Sequence, residues 1–309
     1  MCSVQRKVRV LIVEQTELSR LYVEYKSLLF SLAYKMTGSV ADAEDVIQDV
    51  FIKLNGYEVK HNRNIKAFLC KMVTNQCLDL LKSSRNKREL YVGTWLPEPI
   101  VFIKKDPLQE MLVKSDVSYA LLVLFEQLNP IERAIFILRE VLEYDYETIA
   151  EIVQKKEDNC RKILSRLKKM LPELEKQMAV EQVKTDREHV ITSFIRAIQQ
   201  GNITQVMEVL QGDVVYYADG GGKVTAAVRP IYGATRVKQL LIALATKFLT
   251  REEYSIMQVE VNGSTGIVIM NGEKVIVVMS FEFEGNKIKS IFSILNPDKL
   301  SFIHTQTRK

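Results

Sequence analysis

Few residues of this 309-residue chain have types and spacings that support bond chemistry. Metal ligation is poorly served. Cys2, Cys70, Cys77 and Cys160 form no CxxC pair, and His61, His189 and His304 lie far apart. Neither a structural zinc site nor a disulfide framework is indicated. Cys70 and Cys77 are seven apart and read as small apolar residues on one helix face. General acid–base catalysis needs a positioned group with a shifted pKa. Towards the C-terminus the candidates are Asp219, Tyr216, Tyr217, Arg229 and His189. Asp219 precedes Gly220-Gly-Gly222 and reads as a turn residue rather than a base. The glycine run lacks the strand-to-helix setting of a phosphate loop. No catalytic residue, metal site or cofactor is expected.

The charges suggest binding instead. Net charge is +5, and its distribution says more than its size. Residues 60, 63, 66, 71, 82, 85, 87 and 88 are basic, with Asp79 the one acid among them. A second basic cluster spans Lys155 to Lys169. Between Asp42 and Asp49 there are four acids (42, 44, 45, 49) and no base. Two basic patches and one acidic patch point to nucleic acid and to a basic protein surface as partners.

These residues need elements to hold them. At roughly 150 residues per domain the length predicts about two domains, or three small ones. A composition of 47% hydrophobic and 26% charged residues excludes disorder. No apolar run approaches the 18 residues of a membrane helix. The run Val10–Val13 after Arg6, Lys7 and Arg9 is too short for a signal peptide, so a cytoplasmic protein without membrane contact is expected. Residues 1–180 read as helical. Leu21, Tyr25, Leu28, Leu29, Leu32 and Met36 follow a helical rhythm that Gly38 ends. A second helix runs from Ser39 to Leu54, and a third from Ile65 to Ser83. Residues 84–107 break the pattern, with Tyr91-Val-Gly-Thr-Trp-Leu-Pro-Glu-Pro99 as a stiff linker whose Trp95 should be partly buried. Helices are expected at 107–125, at 130–142 with Asn129 as cap, from Asp145 to Val153, and from Glu157 to Met170. The last two, joined by a short turn, have the plan of a helix-turn-helix. After residue 180 there are β-branched runs at 214–217, 265–270, 275–279 and 288–295, and helices at 186–200, 202–210 and 233–248 come before the later strands. Asn271-Gly272 marks a hairpin. The expectation is an α+β domain with a mostly antiparallel curved sheet.

The segment Asp42-Ala-Glu-Asp-Val-Ile-Gln-Asp-Val-Phe-Ile-Lys-Leu54 resembles region 2 of sigma-70-type transcription initiation factors, closest to the compact extracytoplasmic-function group. Asp45, Gln48, Asp49 and Ile52 share one face, a quarter turn from the Val46/Val50/Leu54 stripe. In the family such a face meets core RNA polymerase. The helix Ala67–Arg85 resembles the segment that reads the −10 element. The resemblance assigns His61, Asn62, Arg63, Asn75, Asp79 and Arg85 to −10 DNA, with the loop 59–64 capturing a flipped base. Residues 128–171 resemble region 4, and Glu157–Lys169 its recognition helix. Asn159, Arg161 and Lys162 are assigned to −35 bases, and Arg166 and Lys169 to phosphates. Where the family usually has glycine in the turn, this chain has Gln154.

Trp95-Leu-Pro-Glu-Pro99, Asp219-Gly-Gly-Gly-Lys223 and Asn296-Pro-Asp-Lys-Leu300 together resemble a subgroup that fuses a SnoaL-like α+β cone after region 4. The resemblance implies a multidomain fold: region 2 over 1–88, a linker over 89–110, region 4 over 111–180 and the cone over 181–309. It implies an alternative sigma factor, not an enzyme, whose fused domain tunes activity in cis without a separate anti-sigma factor. Contacts through Trp95, Leu96, Asp219, Lys223, Asn296 and Asp298 would carry that control. The cone leaves room for a small ligand of unknown identity. Two rivals stand beside this reading: a ligand-responsive helix-turn-helix regulator, and an enzyme housed in the cone.

Overall fold

The computed structural model describes residues 2–55, 64–102, 118–171, 184–200, 202–249, 253–301 and 303. The chain forms two compact units. The first takes the described residues up to 85 together with 125–171, and the second takes the remainder. Among the described residues no helix is long and apolar enough to cross a membrane.

The first unit is helical. Helix α1 spans Cys2–Thr37 and buries Leu29, Leu32, Ala33 and Met36 at the expected spacing. Gly38 ends it at φ 69°, and its N–H donates to the Tyr34 carbonyl at 2.7 Å. Ser39 then caps α2 (Val40–Leu54), its Oγ accepting from the Asp42 N–H. Val46, Val50 and Leu54 are buried as expected. Helix α3 (Ile65–Glu89) buries Cys70, Val73 and Cys77, and burial pushes both thiols' pKa values up. It runs six residues past the expected end at Ser83. Charge alone does not stop a helix, and no glycine or proline occurs before Gly93.

Helix α4 spans Tyr119–Phe125, so only the end of the expected 107–125 helix is described. Asn129 and Glu132 form a reciprocal capping box at the start of α5 (Pro130–Phe136), and Ile137–Val141 continues it as a wider, π-type turn. Asp145 caps α6 (Tyr146–Val153); accepting the Thr148 N–H lowers its pKa. Gln154 adopts the left-handed conformation, φ 53° and ψ 48°, ahead of α7 (Glu157–Met170). Arg133, almost wholly buried, joins the two helical segments of this unit. Its guanidinium donates to the Met36 carbonyl at 2.6 Å and to Glu126 at 2.7 Å. The Tyr144 hydroxyl donates to Cys70 Sγ at 3.4 Å, and burial together with that bond raises the phenol's pKa.

The second unit is a seven-stranded sheet with its three longer helices on one face. Helices α8 (Lys184–Gln199) and α9 (Ile203–Val209) precede β2 (Leu210–Asp219) and β3 (Ile231–Tyr232). Then come α10 (Ala234–Leu249), β4 (Tyr254–Val261), β5 (Ser264–Asn271), β6 (Lys274–Glu284), β7 (Lys287–Ile294) and the short α11 (Pro297–Leu300). The first strand, β1 (Val101–Phe102), comes from the linker. The order is β1-β4-β5-β6-β7-β2-β3, antiparallel except for β2 with β7. Register shifts within β2, β5/β6 and β6/β7 curve it. Strands β1, β3 and β4 were absent from the sequence expectation. The first two hold two residues each. For β4 the signal existed: Asn262-Gly263, both at positive φ, turns β4 into β5.

Side chains alternate between two cores. Tyr216, Ile267, Met279 and Ile291 face Phe194 and Leu241 of the helices. On the opposite face the Phe292 ring stacks on Tyr217 at 5.3 Å and meets Tyr119 at 5.6 Å. The Tyr119 hydroxyl donates to the Pro97 carbonyl at 2.7 Å, and Leu96 is fully buried. The linker is thus one wall of this second core.

An L-residue in the left-handed region costs about 1 kcal/mol that glycine avoids. Gln154→Gly is expected to stabilise the helical unit by about that amount, measured as a higher urea midpoint with an unchanged slope.

Candidate functional site

Four surfaces emerge. On α2, Asp45, Gln48, Asp49 and Ile52 are all exposed, Ile52 at 71%. Their shared face is held by the buried stripe one quarter turn away. Asp49 accepts from Gln76 Nε2 of α3 at 3.1 Å, and Gln76 Oε1 accepts from Lys53 at 2.5 Å. This face offers carboxylates around one apolar side chain, which suits a basic partner with an apolar notch.

On α3, Asn75 is half-buried and Asp79 is exposed, paired with Lys82 at 3.3 Å. Arg85 lies in the last turns of the same helix, and its side chain is outside the described ones. His61, Asn62 and Arg63 lie outside the described residues.

The third surface is α7. Cys160, Leu164 and Leu167 are buried and Ile163 half-buried, which turns Asn159, Arg161, Lys162, Arg166 and Lys169 outward. The outward arginines are already engaged. Arg161 pairs with Glu157 and stacks over the Tyr146 ring at 4.2 Å. Arg139 lies over the same ring at 4.8 Å. Arg166 pairs with Glu132, and Lys168 with Glu140 at 2.9 Å. Exposed pairs of this kind are worth about 0–1 kcal/mol, so a phosphate or base edge can displace them cheaply.

The fourth surface is a buried constellation around Asp219, the last residue of β2. Asp219 is fully buried, and its carboxylate accepts four hydrogen bonds. Oδ1 accepts from the Tyr91 hydroxyl at 2.5 Å and the Gly221 N–H at 3.0 Å. Oδ2 accepts from the Leu96 N–H at 2.9 Å and Lys299 Nζ at 2.7 Å. Lys299 also donates to the Leu96 carbonyl and sits 4.0 Å over the Trp95 ring. Asn296 Nδ2 donates to the Tyr91 hydroxyl at 2.9 Å, while Lys223 and Asp298 pair at 2.6 Å on the surface. Burial and the bond to Asp219 raise the pKa of Tyr91, keeping it a neutral donor. At Gly221 φ is +59° and a Cβ would collide with the Asn296 amide, so only glycine fits. The turn reading of Asp219 therefore covers one bond of four. Its main role is to bind linker and C-terminal segment to the sheet.

Models of Sigma-70 region 2 and Sigma-70, region 4 match residues 21–87 and 118–171. The chain is 28% identical to the ECF RNA polymerase sigma factor SigJ of Mycobacterium tuberculosis, over 88% of this chain and 90% of that one. The crystal structure of that organism's extracytoplasmic function sigma factor SigJ matches with a TM-score of 0.74 at 26% identity, covering 92% of this chain and 98% of that chain. Residues 21–87 and 118–171 are thus a sigma-70 region 2 and a sigma-70 region 4, and over nearly its whole length the chain is similar to an extracytoplasmic-function sigma factor. A second relative is the probable ECF RNA polymerase sigma factor SigI of the same organism, 25% identical over 89% of this chain and 92% of that one.

The region 2 match, residues 21–87, holds the α2 and α3 surfaces, and the region 4 match, residues 118–171, holds α7. Sequence reasoning missed Tyr91 and Lys299 as partners of Asp219, and Tyr146 as the platform under Arg161. Tyr91 and Lys299 lie in or beside the quoted motifs, but only the fold shows that they converge. In the cone, His189 and Arg229 are exposed, and Tyr216 is buried, its pKa pushed up to about 12 by desolvation. None of these lines the cone's apolar pocket. Among the described residues no cluster of His, Cys, Asp or Glu is placed to hold a metal ion.

Removing one member of a buried ion pair strands the other charge, at a cost of about 3–5 kcal/mol. Asp219→Ala is expected to destabilise the second unit by that much, whereas Lys223→Ala, which breaks only the surface pair, should cost under about 1 kcal/mol. Urea denaturation of the two variants checks the contrast.

Proposed function

We propose that this sigma factor binds core RNA polymerase through Asp45, Gln48, Asp49 and Ile52, and directs initiation at promoters read through its −10 and −35 surfaces. One observation carries the proposal: a single chain presents an exposed acidic face on α2 and an outward basic recognition helix, each inside a matched sigma region. Asn75, Asp79 and Arg85, with the loop residues His61, Asn62 and Arg63, are assigned to the −10 element. Asn159, Arg161 and Lys162 are assigned to −35 bases, and Arg166 and Lys169 to phosphates. No catalysis is assigned to the cone, since its pocket lining carries no acid or base.

Activity is tuned in cis, without a separate anti-sigma factor. Region 2 and region 4 must part to span two promoter elements, and the bond from Arg133 to the Met36 carbonyl has to break when they do. The stretch joining them is committed to the second unit through Tyr91, Trp95 and Leu96. Linker docking therefore limits how far they can separate. Deleting the chain after residue 180 would strip the cover from Leu96 and Tyr119, so point variants give the cleaner test.

Run-off transcription with purified core enzyme tests the proposal. Asp45→Arg with Gln48→Ala should abolish stable association with core while leaving the circular dichroism spectrum unchanged. Trp95→Ala should change promoter activity several-fold. Wild-type transcription from both variants would refute the assigned roles.

Arg161→Ala should weaken binding at the −35 element by about 1–3 kcal/mol, as loss of a bidentate base contact does. Lys169→Ala should weaken binding to all sequences alike and reduce the salt slope by about one. Fluorescence anisotropy on native and scrambled −35 duplexes over a salt series separates the two roles.

A further inference from the structure

The cone holds a pocket between α8, α10 and the inner face of β4, β5 and β6. Its volume is about 40 Å³, or about 430 Å³ with its open mouth. Every lining side chain is apolar. Phe194, Leu241, Ile267 and Met279 are buried, while Leu244 and Ile256 are half-buried. A buried water needs two to four polar partners, and these side chains supply none. A pocket so lined favours apolar atoms over water.

The wall of this pocket is also the wall of the linker's dock. Met279 faces the pocket, and the next residue of β6, Ser280, faces the other way. Ser280 pairs in register with Phe292 of β7. The Phe292 ring packs on Tyr119, whose hydroxyl holds the Pro97 carbonyl, two residues from Trp95. A molecule that moves Met279 thus acts on a strand whose outer face carries the linker. Packed sheets transmit such shifts because they have no slack to absorb them.

We propose that this pocket binds a compact, uncharged apolar molecule, such as a small hydrocarbon ring or the end of a short alkyl chain, and that its occupancy is read by the linker on the opposite face of the sheet. The regulatory consequence rests on the cis-control reading above; the binding site does not. A ligand that prefers one linker arrangement shifts the balance between docked and released states by its difference in affinity for the two.

Benzene is a suitable probe, titrated into the full-length protein with isotope-labelled isoleucine and methionine methyls. Methyl resonances of Ile195, Ile198, Ile256, Ile267, Ile269 and Met279 should shift saturably. Trp95, the single tryptophan, reports on the linker, and its emission should change with the same midpoint. Ala245→Phe fills the pocket and should abolish both responses; Ala245→Leu serves if the larger side chain prevents folding. Absence of saturable shifts, or shifts that survive in the folded filled variant, overturns the site. Saturable shifts with unchanged Trp95 emission overturn the coupling. If both responses occur while Trp95→Ala transcribes at the wild-type level, the cis-control reading fails and the site stands.

Discussion

A buried carboxylate organises the second half of this protein. Taking an aspartate out of water costs several kcal/mol even after the protein relaxes. Asp219 is fully buried, so that cost is met only by the four donors that converge on it. One donor is its own loop, at Gly221. The other three are Tyr91, Leu96 and Lys299, from segments more than a hundred residues away on one side and eighty on the other. The sheet cannot keep this carboxylate buried without them. Linker docking is therefore built into the stability of the cone, and the cone is incomplete without chain that precedes region 4.

That dependence bears on regulation. A linker that only tethers two helical segments would leave them free to separate. Here the linker supplies an edge strand, a wall of the second core and two contacts to one carboxylate. It cannot serve both as that wall and as a slack tether. Inside the helical unit a second constraint acts in the same direction. The Arg133 guanidinium is buried against the Met36 carbonyl, at the negative end of α1's dipole. Both restraints are polar and sit in buried surroundings, so each is stable when complete and costly when half-broken.

The DNA-reading helix follows another logic. Its arginines are held by Glu157, Glu132 and the Tyr146 ring while they wait. Surface ion pairs contribute little, so they hold these arginines only weakly. The stack on the Tyr146 ring adds a second restraint on where Arg161 can go.

Local chemistry was legible in the amino-acid sequence. Gly38, Ser39, Asn129 and Asp145 act through bonds to residues within four positions, so spacing alone located the starts or ends of α1, α2, α5 and α6. The Val46/Val50/Leu54 stripe likewise determined which face of α2 is exposed, because one helix period relates them. The three motifs at 91–99, 219–223 and 296–300 were visible as strings. What they do to one another was not. Whether Asp219 ends a turn or binds three segments depends on Tyr91 and Lys299 arriving from 128 and 80 residues away. The short strands β1 and β3 escaped notice for the same reason, since two residues become a strand only when a neighbour pairs with them. Periodicity and capping are properties of adjacent residues; the pairing of a buried charge is decided only when the whole chain has folded around it.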